Sequence, residues 1–268
     1  MKKLITVLSI ILIFSGCTAN PLTGKRNMAF VSNDQLFPMS FSQYDQFLRE
    51  NDIVSDTPDA LMVKRVGERL ADAAQKLLAA QGHPKYLDNY KWDFKLIRDD
   101  SINAWAMPGG KIVFYTGILP ITQNEAGIAV VMGHEIAHAI LNHGQQRMSA
   151  GILQQIAALG VSLATVNRSP EAQALIMTAF GISSNLAGTL PFSRQHEREA
   201  DEYGLILMAI AGYNPDEGAL FWQRMSRAGG GSVPEFLSTH PSDTSRIRSM
   251  QAFAPEAKKR AAAFGQKF

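Results

Sequence analysis

The segment that most constrains the fold is His134-Glu135-Ile136-Ala137-His138, which fits the pattern H-E-x-x-H between the apolar runs IAVVMG and AIL. Residues four apart on an α-helix lie about 40° apart around its axis and one turn along it, so both imidazoles can reach one ion. Burying two histidines and a glutamate among apolar neighbours is costly unless something binds them. The segment therefore predicts a helix with two metal ligands, on which Glu135 can act on a water molecule rather than on the metal.

A third ligand is predicted in the stretch SRQHEREAD, residues 193–201. Glu197 and Asp201 are four apart and share a helix face, whereas Glu199 lies about 160° from Asp201. One carboxylate of the pair can bind the metal, and the other can hold the second ring nitrogen of a ligand histidine. His196 lies about 100° off the Glu197 face, and we leave it out of the predicted ligand set.

His143 follows the H-E-x-x-H segment closely. On a continuous helix it would lie about 180° from His134, so it could not share the ion. Because Gly144 follows it, we expect a histidine that ends the helix.

The first sixteen residues have the pattern of an export signal, with Lys2 and Lys3 ahead of an apolar run from Leu4 to Phe14. The run is too short for an ordinary membrane span. The ending FSGC resembles a bacterial lipobox, in which the cysteine is lipidated. We therefore predict that Cys17, the only cysteine, is a lipid anchor and that no disulfide forms.

Without Lys2 and Lys3 the formal charge falls from +2 to 0, so nothing in the charge favours nucleic acid as a partner. Thr18 follows the cysteine in place of the aspartate that typically retains such lipoproteins at the inner membrane. By resemblance, we expect the protein to be anchored in the outer membrane through Cys17 and to face the periplasm.

Three segments are predicted: a signal at 1–16, a tether and lead-in at 17–42, and one domain at 43–268. Asp56 or Thr57 can cap a helix from about Pro58 to Gln81. Between Tyr90 and Gly117 apolar residues alternate with polar ones, and Pro108-Gly109-Gly110 separates two strands as a hairpin would. The pattern predicts a small antiparallel meander.

Further helices make the predicted fold α+β and mostly helical. Thr122 and Glu125 match a capping box for a helix that runs to about Asn142. The apolar segments Gly151–Val166 and Glu171–Leu186 predict a buried or partly exposed helical hairpin, because polar residues interrupt both before they reach a spanning length. Helices are also expected from about Ser193 to Ala211 and from Ala252 to Phe268.

Five ordered motifs resemble a known family: NPLTGKRN, NAWAMPGGKIVFYTGIL, GHEIAHAILNHG, SRQHEREAD and STHPSDTSRI. They are similar to the zinc metallopeptidases of the gluzincin type, which include HtpX, the CAAX prenyl proteases, the mitochondrial Oma-type protease, BepA and LoiP. Trp105 stands where the family usually has phenylalanine. The chain lacks clear transmembrane helices like those of HtpX, and it most resembles the LoiP-like outer-membrane lipoproteins.

The resemblance implies a zincin fold with a small sheet beside the H-E-x-x-H helix and one zinc ion per chain. Zinc would be held by His134, His138 and Glu197, with Glu135 as general acid and base and Asp201 in support. His240, in the T-H-P segment, would approach the zinc either as a fourth ligand or as a donor to the developing oxyanion. Arg246 either orients that segment or is a surface arginine.

The strand with Asn103, Ala104, Trp105 and Ala106 either accepts a substrate peptide as an added strand or is an internal hairpin; the resemblance favours peptide binding. It also implies an endopeptidase that degrades misfolded or stalled envelope proteins. The alternative is a zinc-stabilised chaperone or assembly factor for outer-membrane proteins, with the outer-membrane assembly machinery as partner and a latent peptidase. A structural lipoprotein without metal is a third interpretation.

Overall fold

The structure is a computed structural model that describes residues 17–228, 234–240 and 244–268. The predicted signal at 1–16 lies outside the described residues. The strands are β1 (Cys17–Ala19), β2 (Arg26–Met28), β3 (Ile53–Val54), β4 (Asp93–Ile97), β5 (Ala104–Met107) and β6 (Lys111–Tyr115). The α-helices are α1 (Asn33–Glu50), α2 (Pro58–Ala80), α3 (Leu119–Thr122), α4 (Glu125–Ile140), α5 (His143–Ala164), α6 (Pro170–Ser184), α7 (Leu190–Ile210), α8 (Glu217–Arg227), α9 (Glu235–Thr239) and α10 (Thr244–Ala262).

The main sheet has four strands in the order β3-β4-β6-β5. Strands β5 and β6 form the predicted hairpin, and β3 pairs with β4 in the antiparallel sense. The mostly helical fold with a small sheet is thus confirmed, but the pairing differs from a simple meander because β4 and β6 run parallel. The reason is burial: Ile112, Val113 and Phe114 are all fully buried, so β6 takes a central place and β5 becomes the edge.

Helix α2 follows the predicted pattern. Thr57 is its N-cap, with Oγ1 accepting a hydrogen bond from the Ala60 N–H at 3.2 Å, and Pro58 occupies the first turn. The helix ends at Ala80, and Val66 and Leu70 on its inner face are fully buried. The helix therefore covers the core side of the sheet, where it packs against β4 and α4.

Helix α4 carries the H-E-x-x-H segment, but the predicted cap at Thr122 is wrong. The N-cap is Asn124, whose Oδ1 accepts a hydrogen bond from the Gly127 N–H at 3.1 Å. Thr122 ends the preceding helix α3, because Gln123 has a positive φ of 66°, at which a right-handed helix cannot continue. Asn124 is then the first residue placed to cap a new helix.

Helix α4 also ends earlier than predicted. Its last residue is Ile140, and Asn142 adopts a left-handed conformation with φ 58° before α5 begins at His143. Asparagine tolerates this conformation better than most residues. The chain therefore changes direction between His138 and His143 rather than continuing as one helix.

Two glycines set the distance between the zinc-motif helix α4 and helix α7. A Cβ on Gly133 would lie 2.8 Å from the Gly204 carbonyl oxygen, and a Cβ on Gly204 would lie 2.9 Å from the His134 nitrogen. Only glycine lets the two backbones approach this closely. The close crossing brings the inner face of α7 to the histidines of α4.

The segment predicted as an irregular lead-in is partly regular. It contains the paired strands β1 and β2 and the start of α1. Asn20 donates from Nδ2 to the Ile140 carbonyl at 3.1 Å, and the Tyr203 hydroxyl donates to the Leu22 carbonyl at 2.6 Å. These bonds fix the segment to the end of α4 and to α7.

The hairpin of α5 and α6 forms as predicted and is largely exposed. Large apolar side chains on it are open to solvent, with Leu163 at 66% and Leu175 at 72% exposure. No side chain described between residues 150 and 184 is buried. Among the helices of the described part of the chain, none combines the length and the apolar character that crossing a membrane requires.

Candidate metal centre

Four buried side chains, each with one possible metal-ligand atom, come together at the crossing of α4 and α7. They are His134, His138, Glu197 and His240, and one ligand atom from each lies within 4.8 Å of the others. Helix α4 supplies the first two from adjacent turns, α7 supplies the carboxylate, and His240 directly follows α9. The three residues predicted as metal ligands thus meet at one point.

The distances between these atoms fit a tetrahedral zinc ion. His134 Nε2 lies 3.0 Å from His138 Nε2 and 3.0 Å from His240 Nδ1, and Glu197 oxygens lie 3.3 Å from each Nε2 of the two α4 histidines. Ligands about 2.0–2.1 Å from a tetrahedral zinc are about 3.3 Å apart. Imidazole nitrogens and a carboxylate that converge in this way, buried, are a donor set that zinc favours.

Asp201 holds the other side of His134. Its Oδ1 lies 2.9 Å from His134 Nδ1, on the ring edge opposite the cluster. Arg246 donates from Nε and Nη2 to the two Asp201 oxygens, each at 2.7 Å. Burial opposes ionisation of Asp201, but the Arg246 charge and the His134 bond keep the pKa of this carboxyl low. A fixed carboxylate of this kind orients a ligand histidine.

Arg246 is buried, which the sequence did not decide. Its guanidinium carbon lies 3.7 Å from the centre of the Trp222 ring, and Nη1 donates to the His240 carbonyl at 3.2 Å. The same side chain therefore contacts Asp201 and the backbone of the T-H-P segment. This places Arg246 where it can orient both.

Glu135 lies beside the cluster rather than in it. Among the described residues none forms a hydrogen bond with its buried Oε1, and His240 Nε2 lies 3.4 Å from this oxygen. Burial raises the pKa of this carboxyl above its ordinary value. A carboxyl with a raised pKa, next to the metal position, suits a group that takes and returns a proton near neutral pH.

His240 points its two ring nitrogens at different partners. Nδ1 lies 2.9 Å from Glu197 Oε2 within the ligand group, while Nε2 faces Glu135. The Phe236 ring, centred 4.7 Å from the imidazole, packs beside it. Nδ1 therefore lies among the possible ligand atoms. Both roles of His240, as a fourth ligand and as a donor to an oxyanion, stay predictions.

The sequence interpretation missed His143 as part of the site. The ring is fully buried, and its Nδ1 lies 2.8 Å from His138 Nδ1. His143 lies outside the ligand group, as expected. The expectation that it ends the helix is wrong, because the chain turns at Asn142 and His143 begins a new helix. The Asn-His-Gly sequence after the motif was the available signal, since asparagine is common at such left-handed positions.

His196 is buried and lies outside the ligand group, as expected. Its ring stacks on His143 at 4.1 Å, and its Nε2 lies 3.0 Å from Gln146 Oε1. Glu199 points away from the cluster and pairs with Lys25 at 2.6 Å and with His143 at 3.3 Å. Helical phase therefore separated the inner and outer carboxylates of this segment correctly.

The predicted substrate strand lies at the edge of the sheet next to α4. Ala104 and Ala106 face the main core, whereas Trp105 turns to the other face and packs on Phe47 at 4.9 Å. Ala106 and His138 line the same narrow cleft. Asn103 is buried, and its carbonyl accepts from the Tyr115 N–H at 3.1 Å. Substrate binding at this strand stays a prediction.

Comparison with known proteins identifies the family. The family model described as peptidase family M48 matches residues 60–254. The chain is 33% identical over 242 residues to a mitochondrial metalloendopeptidase OMA1 of Schizosaccharomyces pombe, covering 88% of this chain and 66% of the relative. It is 28% identical to the human OMA1 metalloendopeptidase, covering 94% of this chain and 49% of that protein. The beta-barrel assembly-enhancing protease of Escherichia coli is 33% identical over 162 residues, or 58% of this chain and 32% of that protein.

These relatives correct the predicted location. The yeast and human relatives are mitochondrial metalloendopeptidases by name, so the predicted lipid-anchored position in an outer membrane facing the periplasm is wrong on this evidence. The comparisons do not show particular closeness to LoiP-like proteins. Lipidation of Cys17 is not tested by them and stays a prediction. The metalloendopeptidase relatives and the four-residue group agree on a zinc enzyme.

Proposed function

Since the chain belongs to peptidase family M48, we propose that it is a zinc-dependent endopeptidase that cleaves misfolded or stalled proteins as part of protein quality control. The observation that carries the proposal is the meeting of His134, His138 and Glu197 beside the buried carboxylate of Glu135. This chain spans only part of several relatives, 66% of the fission yeast protein and 49% of the human one. The activity and the substrates that the names of these longer relatives suggest are therefore proposals for this chain.

Zinc bound by these residues would polarise the peptide carbonyl and lower the pKa of water. Glu135 then takes the proton of the attacking water and passes it to the leaving amine. Asp201, held by both Arg246 bonds, keeps the His134 ring in one orientation.

Strand β5 is the proposed place for the substrate backbone. It is one of the two edge strands of the main sheet, and it shares a cleft with His138. An extended peptide could pair with this edge through main-chain hydrogen bonds without strong demands on its sequence. Such binding suits a substrate that is recognised by being unfolded.

The exposed hairpin of α5 and α6 supports the same substrate class. It presents large apolar side chains such as Ile156, Leu159 and Leu163, each more than half exposed. Contiguous exposed apolar surface marks an interaction site in soluble proteins. Unfolded chains offer the apolar segments that this surface would contact.

The proposal is tested by digestion of an unfolded protein such as casein, with zinc content measured in parallel. Wild type is expected to cleave it, and Glu135→Gln is expected to keep its zinc and lose cleavage. Equal cleavage by both proteins contradicts the role of Glu135. Absence of zinc from the purified wild type would contradict the metal site itself.

A second candidate function is favoured by the position of His240. Its Nδ1 lies 3.0 Å from His134 Nε2 and 2.9 Å from Glu197 Oε2, where it would take the fourth ligand position that catalysis needs to be open. The protein would then act as a zinc-stabilised chaperone or assembly factor whose peptidase is latent. Binding of unfolded protein without cleavage, in wild type and in Glu135→Gln alike, would favour this alternative.

A further inference from the structure

A second imidazole stands behind the zinc ligand His138. The left-handed residue Asn142 ends the turn after α4, and α5 starts at His143 with its ring directed back to the motif. His143 Nδ1 and His138 Nδ1 are 2.8 Å apart, and both rings are buried. This contact lies on the edge of His138 opposite the ligand cluster.

The proton positions follow from the metal site. If His138 offers Nε2 to zinc, its Nδ1 keeps a proton and must donate it. His143 Nδ1 is then the acceptor, so the His143 proton sits on Nε2. That nitrogen lies 3.3 Å from Glu199 Oε2. The hydrogen bonds therefore run from the zinc ligand His138 to the His143 imidazole and from there to the Glu199 carboxylate.

Glu199 is held in turn by groups outside the cluster. Lys25 Nζ donates to Oε1 at 2.6 Å, and Gln195 Nε2 donates to the same oxygen at 2.9 Å. His196 stacks flat on His143 at an angle of 12° and fixes the plane of its ring. Each member of the chain of contacts thus has a defined orientation.

We propose that His143 is a positioning residue that holds His138 in the orientation and tautomer needed for zinc, with Glu199 as the anionic end of the relay. The inference rests on the proposed zinc function of the cluster. It gives the two α4 ligands different supports: His134 is held directly by a carboxylate, and His138 through an intervening imidazole.

Two substitutions distinguish the contact of His143 Nδ1 with His138 from the contact of Nε2 with Glu199. In His143→Asn the amide oxygen falls near the position of Nδ1 and can still accept from His138. In His143→Gln the longer amide reaches towards Glu199 and leaves His138 without its acceptor. His83→Ala, at an exposed position, controls for the loss of a histidine.

The measurement is zinc affinity of the full chain by chelator competition, which needs no peptidase activity. We expect His143→Gln to lose about 10–100-fold in affinity and His143→Asn to stay within a few-fold of wild type. The visible spectrum of the cobalt-substituted protein should change in the Gln variant and not in the Asn variant. Equal loss in both variants, or loss in neither, overturns the proposal.

Glu199→Ala gives a second test on a residue that is partly exposed. Its zinc affinity should fall, but less than that of His143→Gln. An unchanged affinity removes the carboxylate from the proposed relay. A wild type that binds zinc but cleaves nothing contradicts the proposed peptidase function and leaves this test intact.

Discussion

At the residue scale, His240 decides whether the metal centre has an open position. Its Nδ1 lies among the ligand atoms, 3.0 Å from His134 Nε2 and 2.9 Å from Glu197 Oε2. Arg246 holds its carbonyl, and Phe236 packs on its ring. Because His240 directly follows α9, the position of this helix sets where the imidazole lies relative to the other three possible ligands.

Replacing His240 with alanine is predicted to open the fourth position. We expect His240→Ala to keep its zinc on the three remaining ligands and to cleave unfolded protein roughly tenfold faster or more, because catalysis requires that position to be free. The rate is measured with a fluorescent casein, next to zinc content. A slower enzyme with normal zinc would instead assign His240 to the oxyanion, and loss of zinc would make it a structural ligand.

At the element scale, the close crossing of α4 and α7 positions the ligands. We predict that Gly204→Ala lowers the free energy of unfolding by about 1–3 kcal/mol, because the new methyl would meet the His134 backbone at 2.9 Å. The zinc affinity should fall with it, since Glu197 and Asp201 lie on the same helix. Urea unfolding and chelator competition measure the two effects.

Gly160→Ala is the matched control for this substitution. Gly160 also lies inside a helix, and no atom of the described residues lies within 4 Å of a Cβ added there. It should leave stability unchanged or raise it by up to about 1 kcal/mol. If both alanines behave alike, close packing at the crossing does not set the ligand geometry.

The first turn of α4 provides a pH-dependent contribution to stability. Hydrogen bonds from Arg65 lower the pKa of Glu125, burial opposes this, and the Tyr213 hydroxyl adds to the lowering. A lowered pKa in the folded state stabilises the fold above the unfolded pKa of about 4.3, and this contribution is lost as the pH falls through the folded value. Glu125→Gln should therefore cost stability at neutral pH.

The difference in unfolding free energy between wild type and Glu125→Gln is predicted to shrink steadily as the pH is lowered from neutrality through the acid range. Urea titrations of the two proteins at matched pH values measure it. Any release of zinc at low pH affects both proteins and cancels in the difference. A constant difference across the range would show that the Arg65 contact does not favour the ionised carboxylate.

Which side chains share a helix face could largely be predicted from the sequence. The helical phases of His134 and His138, and of Glu197 and Asp201, were predicted because a spacing of four fixes a face. The break at Asn142 was not, since a phase argument assumes that the helix continues. The parallel pairing of β4 with β6 also escaped prediction, because alternation in a strand does not show which neighbour it takes.

At the scale of the whole molecule, long-range contacts decide what local patterns leave open. Arg246 lies far along the chain from Asp201 and is buried against Trp222, whereas its sequence neighbourhood is equally compatible with a surface arginine. The strands at 17–28 join the fold through Asn20 and Leu22, contacts that composition alone does not reveal. The location of the protein was predicted from local features of the leader, and the similarity to mitochondrial relatives contradicts it.

One zinc ion held by His134 and His138 of α4 and by Glu197 of α7 is the basis of the proposed function. Zinc-edge X-ray absorption on the purified chain tests it most directly. We predict one zinc per chain with four neighbours, all nitrogen or oxygen, at about 2.0–2.2 Å, and loss of this signal in Glu197→Ala. A sulfur neighbour, six-coordinate zinc, or an unchanged spectrum in Glu197→Ala would contradict it.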